Sequence, residues 1–224
     1  MQPDLREILE TPIYGAVEVG RYVGVPYQTL RYWIRGSESV GPLIKLACPE
    51  PPRFSFINLL ECHMLSAMRA VYALRIPRVR KALLTLEQLL PSPHPLVDHE
   101  FLTDSVDLFI QKLPNEVINL SRGGQLGLRT VLETHLQRIE RGPSGLLSFF
   151  PFVEERSPSE PKLIVMNPAV AFGKPVIAGT GISTAVIAGR FHARESVNDL
   201  AGEYGRSEDE IEEAIRWESK LLAA

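Results

Sequence analysis

Residues 14–36 read YGAVEVGRYVGVPYQTLRYWIRG, two short amphipathic segments separated by a glycine and a proline. Val19, Tyr22, Val25, Leu30, Trp33 and Ile34 form one apolar seam across both segments. Arg21, Gln28, Thr29, Arg31, Tyr32 and Arg35 are left wholly or partly outside it. Gly24 falls where the first helix must end, because a glycine accepts the left-handed backbone of a tight turn, and Pro26 keeps that helix from running on. The stretch therefore predicts a helix-turn-helix. Arg31 and Arg35 lie one helical turn apart, so both can meet phosphates on one side of a groove while Trp33 and Ile34 hold the opposite face in a core.

Working outward, residues 37–56 are rich in turn formers but hold two apolar stretches, Leu43 to Ala47 and Phe54 to Phe56, which predicts a small β wing. A helical pattern then runs from Ser55 to about Leu74 through Ile57, Leu60, Met64, Met68 and Val71, and Pro77 opens a second helix to Leu90. PSPHP, residues 91–95, closes this part. Arg78, Arg80 and Lys81 fall in the first turn of the second helix, where the macrodipole disfavours cations. Phosphate contact and a small tolerated penalty explain that placement equally well.

In the middle, Val106, Leu108 and Ile110 alternate with Asp107, Phe109 and Gln111, and EVINL at 116–120 follows LPN, a pattern that predicts a hairpin. A helix from about Leu128 to Glu140 is expected to cover it, and LLSFF at 146–150 to add a strand. EERSPSEPK, residues 154–162, has the composition of a linker. Beyond it, LIVMNPAVAFGKPVIAGTGIST at 163–184 reads as two short apolar strands with a glycine-bearing turn. Three helices follow, Thr184 to Phe191, Val197 to Tyr204, and Glu208 to Leu222, with Gly205 separating the last two and Ser207 as N-cap. The fold class is α+β, mostly α, in three parts: a winged helix-turn-helix over 1–92, a hairpin-plus-helix segment over 93–153, and a small β plus three-helix module over 163–224.

The formal net charge of the 224 residues is only -3, but it is unevenly spread. Tyr14 to Lys81 carries ten Lys/Arg against four Asp/Glu, whereas Glu195 to Ala224 carries three against nine. Different partners are expected for a basic front and an acidic tail. Glu208, Asp209, Glu210, Glu212 and Glu213 crowd the start of the last helix; they suit the helix dipole, and they would also repel phosphate and favour protein contact. No apolar run approaches the roughly 18–20 residues a membrane span needs. MQPDLREILE lacks the basic and apolar regions of a signal peptide, so the expected location is the cytoplasm.

Catalytic signals are missing. Cys48 and Cys62 form no CxxC pair and read as reduced thiols rather than zinc ligands. His63, His94, His99, His135 and His192 show no metal spacing, and no serine stands in a GxSxG elbow. Lys174 is followed by Pro175 and a strand rather than by a helix start, so Gly173 reads as a structural turn rather than a Walker loop. No enzyme, metal or cofactor is expected.

YGAVEVGRYVGVPYQTLRYW resembles the DNA-binding end of the MerR family, in which a Tyr, a Gly-Val turn and Thr-Leu-Arg-Tyr-Trp recur in this order. The likeness covers roughly residues 14–81, and it departs from the family where Pro26-Tyr27 replaces a Ser-Pro helix opening. It implies that the second helix enters the major groove of double-stranded operator DNA. Gln28 and Thr29 then become base-edge candidates, Arg31, Tyr32 and Arg35 phosphate candidates with Arg21 beside them, and Lys45 and Arg53 wing contacts.

NPAVAFGKPVIAGTGISTAVIAGRF together with NDLAGEYGRSEDEIEEAIRWE looks like the small domain of VapB-type antitoxins, whose partners are PIN-domain nucleases. The implication is an antitoxin that neutralises a PIN-like ribonuclease toxin and represses its own promoter, acting as a homodimer. Arg190, His192 and Arg194 either form a solvated loop or offer a guanidinium to the carboxylate-rich site of such a nuclease. Two alternatives stand beside this. One is a MerR-like ligand-responsive regulator without a toxin, whose effector helix would run past PSPHP. The other is a nuclease in its own right, for which Asp98, Asp104 and Asp107 make a poor magnesium set.

Overall fold

The computed structural model describes residues 4–36, 41–46, 48–72, 76–98, 106–112, 122–143, 145–154 and 156–223. Part of the expected wing (37–40 and 47) and the EVINL strand lie outside the described residues. The chain divides into two units: residues 10–137, and residues 1–9 with 138–224. Helix predominates, and among the described residues the strands form three two-stranded sheets.

Helix α1 (Leu5–Glu10) begins the chain and goes largely with the second unit. The first unit opens with β1 (Tyr14–Gly15), α2 (Ala16–Val23) and α3 (Tyr27–Arg35). It continues with β2 (Arg53–Phe54), α4 (Phe56–Tyr72), α5 (Ile76–Leu89), α6 (Val106–Lys112) and α7 (Arg122–Leu136). The turn between α2 and α3 is the expected one. Gly24 has φ 64° and ψ 42°, left-handed backbone that only glycine adopts cheaply. Pro26 leaves the start of α3 without a side-chain cap, and its carbonyl accepts from the N–H groups of Thr29 (2.9 Å) and Leu30 (3.2 Å) instead.

Every residue from Phe56 to Met68 is buried, so α4 is the axis of this unit rather than a one-sided helix. It packs against α2, α7 and the turn of 3-10 helix at Pro95–Val97. Its start is closed reciprocally: the Asn58 N–H donates to Ser55 Oγ at 3.2 Å, and the Ser55 N–H donates to Asn58 Oδ1 at 3.3 Å.

Four expectations are corrected. The hairpin at 106–120 does not begin with a strand: Val106–Lys112 is α6. Its adjacent residues Phe109 and Ile110 are both buried, which one face of a helix allows and one face of a strand does not. A short apolar run fits both periods, and the packing of α6 on α7 decides. Helix α7 spans Arg122–Leu136 rather than Leu128 to Glu140, because Ile139–Arg141 leaves as a strand.

Among the described residues of the expected wing, strand pairing is confined to residues 53–54 and the bridge at Cys48. β2 pairs with β1, Tyr14 opposite Phe54, and Cys48 bridges Arg53. Leu43 and Ile44 form no strand; their N–H groups donate to the Trp33 carbonyl at 2.7 and 3.2 Å, supplying donors that the end of α3 lacks.

The second unit holds β3 (Ile139–Arg141), β4 (Leu147–Phe149), β5 (Ile164–Val165) and β6 (Val176–Ile177). After these come α8 (Thr184–His192), α9 (Val197–Tyr204) and α10 (Glu208–Ala223). β3 pairs with β4 and β5 with β6, both antiparallel, and Phe149 and Met166 exchange N–H···O bonds of 2.9 and 2.8 Å that join the two hairpins.

The stretch expected as a linker is wrapped round Arg138. That guanidinium donates to the carbonyls of Phe150 (2.7 Å), Glu160 (2.8 Å), Pro151 (3.0 Å) and Pro161 (3.2 Å), and its carbon lies 4.7 Å from the Phe152 ring centroid. Burial lowers its pKa from the ordinary arginine value, and Glu160 opposes that. No helix among the described residues is long and apolar enough to cross a membrane.

Two glycines test the packing in opposite directions. A Cβ on Gly20 would sit 2.7 Å from the Val25 carbonyl oxygen, whereas a Cβ on Gly202 meets nothing within 4 Å. Gly20→Ala is expected to lose roughly 1–3 kcal/mol of stability through overpacking. Gly202→Ala is expected to gain up to about 1 kcal/mol from helix propensity. Melting curves followed by circular dichroism check both signs.

Candidate nucleic-acid interface

Leu30 and Trp33 are 0% and 1% exposed, so the rotation of α3 about its axis is fixed by what it buries. The opposite stripe is open. Gln28, Arg31, Tyr32 and Arg35 are exposed, and Thr29 and Arg21 are half-buried. Tyr27 and Tyr32, 46% and 38% exposed, add amphipathic rings to this polar face.

The loop after α3 is tied down at three points. Trp33 accepts from it as described, Arg80 Nη2 donates to the Gly41 carbonyl at 2.8 Å, and Asn58 Nδ2 donates to the Lys45 carbonyl at 3.1 Å. Lys45 is thereby held near the carboxy-terminal end of α3 with its side chain exposed. Arg80 has a structural partner in this loop. Arg53 is also exposed, but it sits on β2 opposite Gly15, beside the start of α2 rather than on that loop.

One cation on this side was not singled out in the sequence. Arg69, in the last turn of α4, donates from Nη1 to Thr29 Oγ1 at 3.1 Å. The sequence signal was only a single charged residue interrupting an apolar run. Its meeting with a side chain forty positions away depends on the tertiary packing of α3 and α4, both of which lie against α2.

The second unit repeats the helix-turn-helix spacing with a more acidic second helix. α9, like α2, has eight residues and ends in a left-handed glycine, Gly205, with φ 60° and ψ 39°. After two intervening residues, Arg206 and Ser207, α10 begins, as α3 does after Val25 and Pro26. Ile211 and Ala214 are buried where Leu30 and Trp33 are in α3. Where Gln28 and Arg31 stand on α3, α10 carries Asp209 and Glu212, both exposed. The Glu210 N–H donates to Ser207 Oγ at 3.3 Å and the Ser207 N–H to Glu210 Oε2 at 3.0 Å, a reciprocal cap that suits an acidic first turn. Such a surface repels a phosphate backbone.

Arg190 is engaged within its own unit. Nε donates to Glu195 at 2.8 Å and Nη1 to Glu203 at 2.7 Å, with the guanidinium carbon 5.2 Å from the Tyr204 ring centroid. Those carboxylates, Glu203 foremost, raise its pKa above the ordinary arginine value. His192 and Arg194 are exposed at the end of α8, where Arg194 takes a left-handed φ of 81° and donates its N–H to the Phe191 carbonyl at 3.0 Å.

The geometry is that of a helix-turn-helix with an exposed basic second helix, joined in sequence to a unit with an acidic copy of the motif. The family model described as "Protein of unknown function (DUF433)" matches residues 164–217, which contain β5, β6, α8, α9 and most of α10. Over nearly its whole length the chain is similar to a Mycobacterium tuberculosis protein named "Putative antitoxin VapB45", at 25% identity over 92% of this chain and 93% of that protein. A second M. tuberculosis protein, uncharacterized Rv2308, is 26% identical over 97% of this chain and 94% of its own length. The crystal structure of Rv2018 from M. tuberculosis superposes with a TM-score of 0.71 at 24% identity, covering 92% of this chain and 99% of that one. The arrangement is therefore a fold already seen in a crystal.

If α3 meets a duplex, Arg31→Ala with Arg35→Ala is expected to make the dependence of log affinity on log salt shallower by about 2, since each lost phosphate contact removes about 0.9. Titration of the double variant at several salt concentrations checks this. An unchanged slope would remove both guanidinium groups from the interface.

Proposed function

We propose that the chain is the antitoxin of a type II toxin-antitoxin pair. In this reading a MerR-like winged helix-turn-helix within residues 1–92 binds operator DNA as part of a homodimer and represses the pair's own promoter. Residues 163–224 bind and neutralise a PIN-like ribonuclease toxin.

The observation that carries the DNA half is the exposed Arg31–Arg35 stripe on a helix whose other face is buried through Leu30 and Trp33. One helix-turn-helix reads only a short half-site, which is the reason for proposing a dimer. Support for the toxin half comes from the relative named as an antitoxin and from the motif order in the carboxy-terminal module. The acidic surface of α10 is a poor phosphate binder and a good complement for the basic surface expected of a nuclease that grips RNA.

Co-expression separates this reading from a ligand-responsive regulator. With the product of the adjacent reading frame, the full chain is expected to co-purify as a complex, to relieve growth arrest, and to suppress RNA cleavage. Its binding to the DNA upstream of the pair is expected to weaken by about 10³-fold or more between 50 and 200 mM salt if six or more phosphates are contacted. Salt-sensitive DNA binding with no co-purifying toxin and no relief of arrest would instead favour the regulator.

A further inference from the structure

From Phe56 to Met68 every residue of α4 is buried, and Arg69 is the next side chain along, exposed. Its Nη1 lies 3.1 Å from Thr29 Oγ1. Thr29 is the third residue of α3 and half-buried, with its own N–H already donated to the Pro26 carbonyl at 2.9 Å. A threonine hydroxyl has one hydrogen to give and two lone pairs to receive with, whereas a guanidinium only gives. The contact between them therefore occupies a lone pair of Thr29 and turns the hydroxyl hydrogen away from Arg69.

We propose that Arg69 is a positioning residue for sequence recognition, which sets Thr29 as a hydrogen-bond donor toward the base it meets. This rests on the DNA reading of α3 given above. In the major groove guanine, adenine and thymine each present an acceptor, at N7, O6 or O4, while cytosine presents only its N4 amino donor. A freely rotating threonine can pair with either kind of edge. With one of its two lone pairs taken by Arg69, the hydroxyl keeps its hydrogen for an acceptor edge and has only one lone pair left for a cytosine amino group, which tilts the preference toward the acceptors. Arg69 is exposed and a guanidinium has further N–H groups to give, so in this reading it also contributes one phosphate contact.

The experiment is site selection from a randomised duplex library with the purified full chain, as wild type, Thr29→Val, Arg69→Met and the double variant. Wild type is expected to reject cytosine at one position by about fivefold, the worth of one neutral hydrogen bond. Thr29→Val and Arg69→Met should each relax that same position, and the double variant no further than either. Arg69→Met should also make the salt slope shallower by about 1. Arg69→Lys keeps a donor beside Thr29 and is expected to retain the preference; it stands in should Arg69→Met melt early. Loss of affinity with the preference intact in Arg69→Met, or additive effects of the two single variants, would overturn the proposal. If wild type selects no sequence and binds duplex without salt dependence, the reading of α3 itself falls, a result distinct from either of those.

Discussion

The close approach of α2 and α3 at Gly20 governs the basic face. The Gly20 carbonyl accepts from the Val25 N–H at 2.8 Å, directly across the turn, and Leu30 Cδ1 lies 3.2 Å from where a Cβ on Gly20 would be. With no side chain in the way, Leu30 and Trp33 reach the core. Burying those two side chains is worth several kcal/mol, on the order of 5 from area alone. Repulsion between Arg31 and Arg35, one turn apart on the surface, costs only about 0.2–0.5 kcal/mol. Packing therefore sets the rotation of α3, and the arginines stand outward as a consequence. Their charge is available for a partner because it is not needed for the fold.

The two helix-turn-helix motifs of this chain separate backbone from function. Gly24 and Gly205 adopt nearly the same left-handed conformation between helices of matching spacing. What differs is decoration. α3 has no acidic residue in its first turn and an arginine in its last, and α10 opens with Glu208, Asp209 and Glu210. Around Arg216 the acidic helix also neutralises its own cation, through Glu212 at 2.9 Å and Glu213 at 2.5 Å. On electrostatic grounds only the first motif is suited to a phosphate backbone, although the turn geometry alone would nominate both.

Much of this was legible in the sequence where a local rule forces a conformation. Gly24 and Pro26 fixed the first turn, Gly205 and Ser207 the second, and the boundaries of α9 follow directly. The alternation at Val106 to Gln111 misled because seven residues fit either period until α7 is there to pack on. Residues 154–162 look like a linker because proline, serine and charge compose one; the buried guanidinium that gathers their carbonyls lies at Arg138, outside the stretch. At the candidate interface the arginines of α3 were readable from spacing. Arg69 was not, because its contact with Thr29 arises from the tertiary packing of α3 and α4 on α2, and no local pattern encodes that.

Hydrogen exchange of the full chain, with and without the DNA upstream of its own reading frame, decides whether α3 is the surface that meets a duplex. Binding is expected to slow exchange over Gln28 to Arg35 and over residues 41–46, while residues 197–217 stay unchanged. Protection appearing on residues 197–217, with α3 exchanging as in the free protein, would contradict that assignment.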